Sequence, residues 1–150
     1  MLKLSIKATC PKILIGENIE NSMMRKEVEV WWKQAERDVR SAEKNITIEE
    51  YALVVFLCQQ AVEKGLKAYF LQVKKQSPGL THSLIYLASE ADVPEKFFKF
   101  LRRLTPEFVT TRYPDAAYGS PNDLYDKEIA EDHLQQTKEV IAWLKSKILL

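Results

Sequence analysis

Apolar residues recur every three to four positions through three long stretches of this chain, a period that admits helices and little else. Over Arg25–Lys44 the apolar and small positions are Val28, Trp31, Trp32, Ala35, Val39 and Ala42, with Lys33, Arg37, Arg40 and Glu43 opposite. The second stretch is longer and runs to about Lys75. Thr47-Ile48-Glu49-Glu50 has the spacing of a capping box, so Thr47 is expected to accept an orphan amide while Glu50 reaches back. The third, Asp126 to about Ile148, carries Ile129, Leu134, Val140, Ile141 and Leu144.

Punctuation between these stretches is short. Ser77-Pro78-Gly79 ends the second helix, and Thr81 is placed to cap a short third helix through about Ala91. Pro94 suits the first turn of PEKFFKFLRRL, with Phe97, Phe98, Leu101 and Leu104 inward. Thr105-Pro106 should kink or restart that helix, because proline removes a donor and clashes with the preceding turn. PEFVTTRY then continues to Tyr113, and PDAAYGSPND reads as an irregular loop. With no internal repeat, second domain or convincing core strand, the expected fold is all-α, an up-and-down bundle of about five helices.

Residues 1–22 read differently from the helical domain at 23–150. LKLSIK alternates apolar and polar residues, KILIG is a short β-type run, and Pro11 stands between them. An edge hairpin, a partner-binding arm and a poorly ordered extension all fit, and Met23-Met24 offers an internal start that would make this leader non-native.

Composition narrows the function classes. The chain has 150 residues, enough for one core without staples, and a formal net charge of +1, so no global basic field draws in nucleic acid. Cys10 and Cys58 show no metal spacing, and Cys58 falls in an apolar run as a buried thiol would. No apolar run approaches the ~18 residues of a membrane span, and Lys3, Lys7 and Lys12 interrupt what a signal peptide would keep apolar. The expected location is cytoplasmic. Neither Gly-rich phosphate-loop pattern occurs, and no His, Asp and Glu set has metal spacing, so no cofactor or metal is expected.

The unusual feature is CQQAVEKGLKAYF, Cys58–Phe70. Helical spacing puts Gln60, Glu63, Lys64 and Lys67 on one face, with Leu53, Phe56 and Leu71 along the same line. A solvent-facing stripe would be polar along its whole length. A polar island between large apolar groups fits a groove, a satisfied network or a subunit interface, while the plainer reading is the solvated centre of a helix covered at its ends. Glu63 and Lys67 are ordered for an intrahelical ion pair worth a few tenths of a kcal/mol (about 0.3).

A second constellation is TTRYPD. Pro114 biases Tyr113 away from helix and leaves Arg112 near a helix C-terminus. There the cation either complements the helix dipole or presents its fork to phosphate oxygens, with Tyr113 or Tyr118 as a stacking surface. His82 stands at a helix start as a local hydrogen-bonding residue, and His133, within DKEIAEDHLQQ, is expected to be exposed.

VWWKQAERDVRSAE, FLCQQAVEKGLKAYF, THSLIYL, RYPD and VIAWLKSKI, in that order, resemble the HEPN family, the "higher eukaryotes and prokaryotes nucleotide-binding" domains. The resemblance covers roughly Lys26–Leu149, and QQAVEKGLKA followed by TH is its most specific part. It implies an all-α homodimer linked to nucleotides such as ATP or to RNA. In small prokaryotic members it also implies a separately encoded minimal nucleotidyltransferase, as companion or as antitoxin to a toxin. The polar block would then line a groove near the dimer axis, and the implied nucleotide- or partner-binding residues are Gln60, Glu63, Lys64, Lys67, His82, Arg112, Tyr113 and Asp115.

One departure counts against catalysis. The family's ribonucleases resemble one another in an arginine followed, after four to six residues, by a histidine. From Arg112 those positions hold Ala117, Tyr118 and Gly119, and neither His82 nor His133 has an arginine upstream at that spacing. RNA cleavage without metal needs groups to move protons to and from the reacting oxygens. The expectation is therefore a non-catalytic binding module, with a divergent ribonuclease toxin as the alternative.

Overall fold

The computed structural model describes residues 11–150, and LKLSIK lies outside the described residues. Helix α1 spans Pro11–Thr47, α2 Tyr51–Lys74, α3 Leu84–Glu90, α4 Phe98–Leu104, α5 Glu107–Thr110, α6 Pro114–Ala117 and α7 Lys127–Lys147. Single 3₁₀ turns at Glu95–Phe97 and Pro121–Leu124 precede α4 and α7. The all-α bundle is as expected, with α5 and α6 as one-turn additions in the segment between the fourth and last long patterns. KILIG is a correction: it lies inside α1, whose helix runs through residue 22 without a break, so no strand forms there.

α2 is the central element. It packs against α1 and α7 along its length and against α3 and α5 on its remaining sides. Val54, Val55, Cys58, Ala61, Val62 and Leu66 are all fully buried, together with Leu84, Leu87, Leu101, Leu104 and Leu144 from the surrounding helices. Gly65 explains how α7 comes so close. A Cβ there would stand 3.0 Å from Leu144 Cδ1 and 3.1 Å from Ile141 Cδ1, so the absent side chain outweighs the ~1 kcal/mol that glycine costs a helix interior. At the far end Gln72 pins the C-terminus, donating to the Lys147 carbonyl at 3.0 Å and accepting from the Leu149 amide at 2.7 Å.

The caps differ from the expected ones. Thr47 is the last residue of α1, and its hydroxyl donates back to the Lys44 carbonyl at 2.6 Å instead of capping α2. Glu50 occupies the N-cap of α2 without a side-chain cap bond, and Glu49 takes a positive φ of 63° in the link. The compact connection left no extended residue for a capping box. Ser83, not Thr81, caps α3 by accepting from the Tyr86 amide at 3.2 Å, while Thr81 accepts from the Ser83 amide at 3.0 Å. Asp126 does cap α7, accepting from Ile129 N–H at 2.8 Å.

Candidate functional site

The polar block of α2 is not a solvated helix centre. Gln59, Glu63 and Lys67 are buried among the packed helices, at 0%, 5% and 5% exposure. Burying such groups is tolerated only when each finds a partner, and here they find one another. Glu63 is the hub. One oxygen accepts from Lys67 Nζ at 2.9 Å and the other from Gln59 Nε2 at 2.8 Å, one helical turn to either side. Gln60 Nε2 donates to the side-chain oxygen Oε1 of Gln59 at 2.7 Å, which leaves the Gln59 Nε2 for Glu63.

Two other elements complete the network. From α1, Asp38 accepts from Lys64 Nζ and, at 2.9 Å, from Gln34 Nε2, and the Trp31 ring lies 5.4 Å from Lys67 Nζ. From the α2–α3 link, His82 Nδ1 stands 3.1 Å from both oxygens of Glu63. Its ring stacks on Phe108 of α5 at 4.6 Å between centroids, 24° from parallel, and half of the side chain remains exposed. Burial, the strongest single influence on Glu63, would raise its carboxyl. The hydrogen bonds from Lys67, Gln59 and His82, with the Lys67 charge, together outweigh it and hold the group below its usual range.

Arg112 follows α5 and is exposed at the rim. Its guanidinium lies 4.9 Å over the Phe56 ring, so the surface it stacks on is an α2 phenylalanine and not Tyr113 or Tyr118. Among the described residues it makes no ion pair. Phe56 and Glu63 are seven residues apart on α2, a rise of about 10 Å.

Gln60, Glu63, Lys67 and His82 are thus brought into one bonded cluster, Lys64 pairs separately with Asp38 of α1, and Arg112 lies over Phe56, about two turns of α2 away from Glu63. Tyr113, half-exposed at the N-cap of α6, and Asp115, exposed in its first turn, take no part in those bonds. His133 corrects another expectation: it is 5% exposed, with Nδ1 donating to the Ile129 carbonyl at 2.8 Å. Gln59 belongs to the amide and charge block of CQQAVEKGLKAYF but was not among the candidate binding residues, and Asp38 and Phe108 were not foreseen. Gln59 stands four residues before Glu63, and Asp38 falls between Ala35 and Ala42 on the apolar side of α1, where a carboxylate calls for a partner.

A cleft of about 630 Å³, lined by Arg103, Glu107, Tyr125, Asp132 and His133 among others, includes none of the polar-face residues. The bonded cluster is the better guide to function, because it fixes the direction of charged and hydrogen-bonding groups. Among the described residues no group of His, Cys, Asp and Glu is arranged to hold a metal ion, and no helix is long and apolar enough to cross a membrane.

Comparison with known proteins agrees with the helical fold. The chain is similar to the solved structure of TT1696 from Thermus thermophilus, with a TM-score of 0.75 and 29% identity over 81% of this chain and 98% of that one. It is also similar to ST0689, described as an archaeal HEPN homologue, with a TM-score of 0.69 and 31% identity over 82% of this chain and 98% of that one. A search of curated proteins returned no match. The HEPN domain family model matches residues 28–147, a span that contains α2, His82 and Arg112, and the chain belongs to the HEPN domain family.

Proposed function

We propose that this protein is a non-catalytic, dimeric HEPN module that binds a nucleotide or a protein partner on the polar face of α2, acting with a separately encoded minimal nucleotidyltransferase. The observation that carries the reading is Arg112. It is an exposed guanidinium with no acidic partner among the described residues, braced on Phe56 about two turns of α2 away from Glu63, a carboxylate whose charge Lys67 already balances. A cation held but not neutralised is suited to phosphate oxygens, which a guanidinium meets bidentately. Leu53, on the same line of α2 and 40% exposed, gives the face an apolar margin of the kind a subunit interface uses.

Titration calorimetry with ATP tests the nucleotide part, using Arg112→Ala as the control. Saturable binding to the wild type, lost in a variant with unchanged melting temperature, is the expected result. No heat from well-folded wild type sets nucleotide binding aside and moves the role to protein partners, read by co-purification with a transferase.

One observation favours the second reading, a divergent ribonuclease toxin. Glu63 holds His82 as a carboxylate holds an imidazole in many acid–base sites. That reading expects metal-independent RNA cleavage by purified protein, abolished by His82→Ala. Cleavage that survives the substitution removes His82 from the chemistry.

A further inference from the structure

The tautomer of His82 follows from its surroundings, and it sets what the polar face recognises beyond phosphate. An ionised carboxylate only accepts hydrogen bonds, so the Nδ1 that sits 3.1 Å from both Glu63 oxygens must carry the proton. Glu63 has no freedom to do otherwise, because Lys67 Nζ at 2.9 Å and Gln59 Nε2 at 2.8 Å fix both of its oxygens as acceptors. Turning the ring over would keep its stack on Phe108 but would put a carbon in place of Nδ1 against Glu63 and give up that hydrogen bond. In the neutral ring Nε2 therefore carries a lone pair.

We infer that His82 Nε2 is a hydrogen-bond acceptor for a hydroxyl or amino proton of the bound ligand, while Arg112 takes an anionic group of the same molecule. The inference rests on the nucleotide reading above and deepens it. The phosphates of a nucleotide are almost wholly ionised above pH 7 and act as acceptors, so a proton for His82 has to come from another part of the molecule. Arg112 on Phe56 and His82 on Glu63 are carried two turns apart on α2, about 10 Å of helix. A nucleotide reaches across such a span, with ribose hydroxyls toward His82 and its phosphates toward Arg112. Glu63 is a positioning residue in this scheme, acting through the tautomer it imposes.

Two measurements test it. A two-bond ¹H–¹⁵N correlation spectrum of the untagged, ¹⁵N-labelled protein at pH 7.5 reads the tautomer directly. The chain has two histidines, so the signals missing from His82→Phe belong to His82. A protonated Nδ1 with a pyridine-like Nε2 is expected; a protonated Nε2 overturns the inference. The second is calorimetric comparison of ATP with 2′,3′-dideoxy-ATP. The dideoxy analogue should bind about tenfold more weakly, the loss of one hydrogen bond at a half-exposed acceptor. In His82→Phe, which keeps a ring on Phe108 but has no acceptor, the two should bind alike. Equal affinities in the wild type overturn the hydroxyl contact and leave nucleotide binding intact. No ATP binding at all removes the nucleotide reading and the hydroxyl contact with it, while the tautomer is decided by the spectrum alone.

Discussion

The centre of the polar face and its rim are built from similar residues under opposite conditions. At the centre, Glu63 and Lys67 are buried side chains whose bonds close on each other, on Gln59 and on His82. At the rim, Arg112 is exposed, braced only by an aromatic ring, and free of any acid among the described residues. The centre has spent its hydrogen-bonding capacity internally, so its contribution is stability and orientation. The rim retains its capacity, and the proposed recognition draws on it together with the outward nitrogen of His82. A charged cluster read as one site in fact divides into a frame and the groups that the frame presents.

Breaking the frame should have the largest effect. Lys67→Ala leaves the Glu63 carboxylate buried without its ammonium, and removing one member of a buried pair typically costs about 3–5 kcal/mol. Chemical denaturation should show a loss of that order, whereas Arg112→Ala should stay within about 0.5 kcal/mol. Similar losses in the two variants would erase the distinction between centre and rim.

Overpacking on the core-facing side of the same helix comes next. Gly65→Leu drives a side chain into Leu144 and Ile141 and should cost about 1–3 kcal/mol without touching the polar face. Nucleotide affinity retained in that variant would show that the two sides of α2 act separately.

A finer test uses acid. The folded-state pKa of Glu63 is lowered from 4.5, so its ionised network contributes stability that is fully present above that value and is lost as pH falls through the folded pKa. The melting-temperature gap between wild type and Glu63→Gln should be constant near neutrality and narrow below about pH 4.5. A gap that widens in acid would reverse the sign. The smallest expected signal is at Cys58, where burial pushes the thiol up to about 12. Peptide mapping after alkylation at pH 8 should find it unmodified until the protein is unfolded.

Much of this was legible in sequence because helical period and chain punctuation are local properties. Pro94 and Pro106 mark a helix start and a restart, and Asp126 opens the last helix, whereas PDAAYGSPND, expected as an irregular loop, holds α6 and most of a 3₁₀ turn. The capping box failed for a reason outside its four residues: Thr47 had been taken into α1, where it bonds to Lys44. KILIG has β-type residues, yet it extends a helix already running on its C-terminal side, since propagation costs less than nucleation. His133 looked exposed among charges because Glu131 and Asp132 point outward, while its own position, with Leu134, turns to the core.

For the site, spacing along α2 determined by itself that Gln60, Glu63, Lys64 and Lys67 share a face, since 3.6 residues per turn leaves no other arrangement. Whether that face was wet or dry was decided only by what packed on it. α1 supplied Asp38 and Trp31, and the α2–α3 link supplied His82, held from the far side by Phe108 of α5. Periodicity relates residues within one helix. Burial, the pairing of charges and the direction of an imidazole depend on residues far apart in the chain, and those meet only when the helices pack.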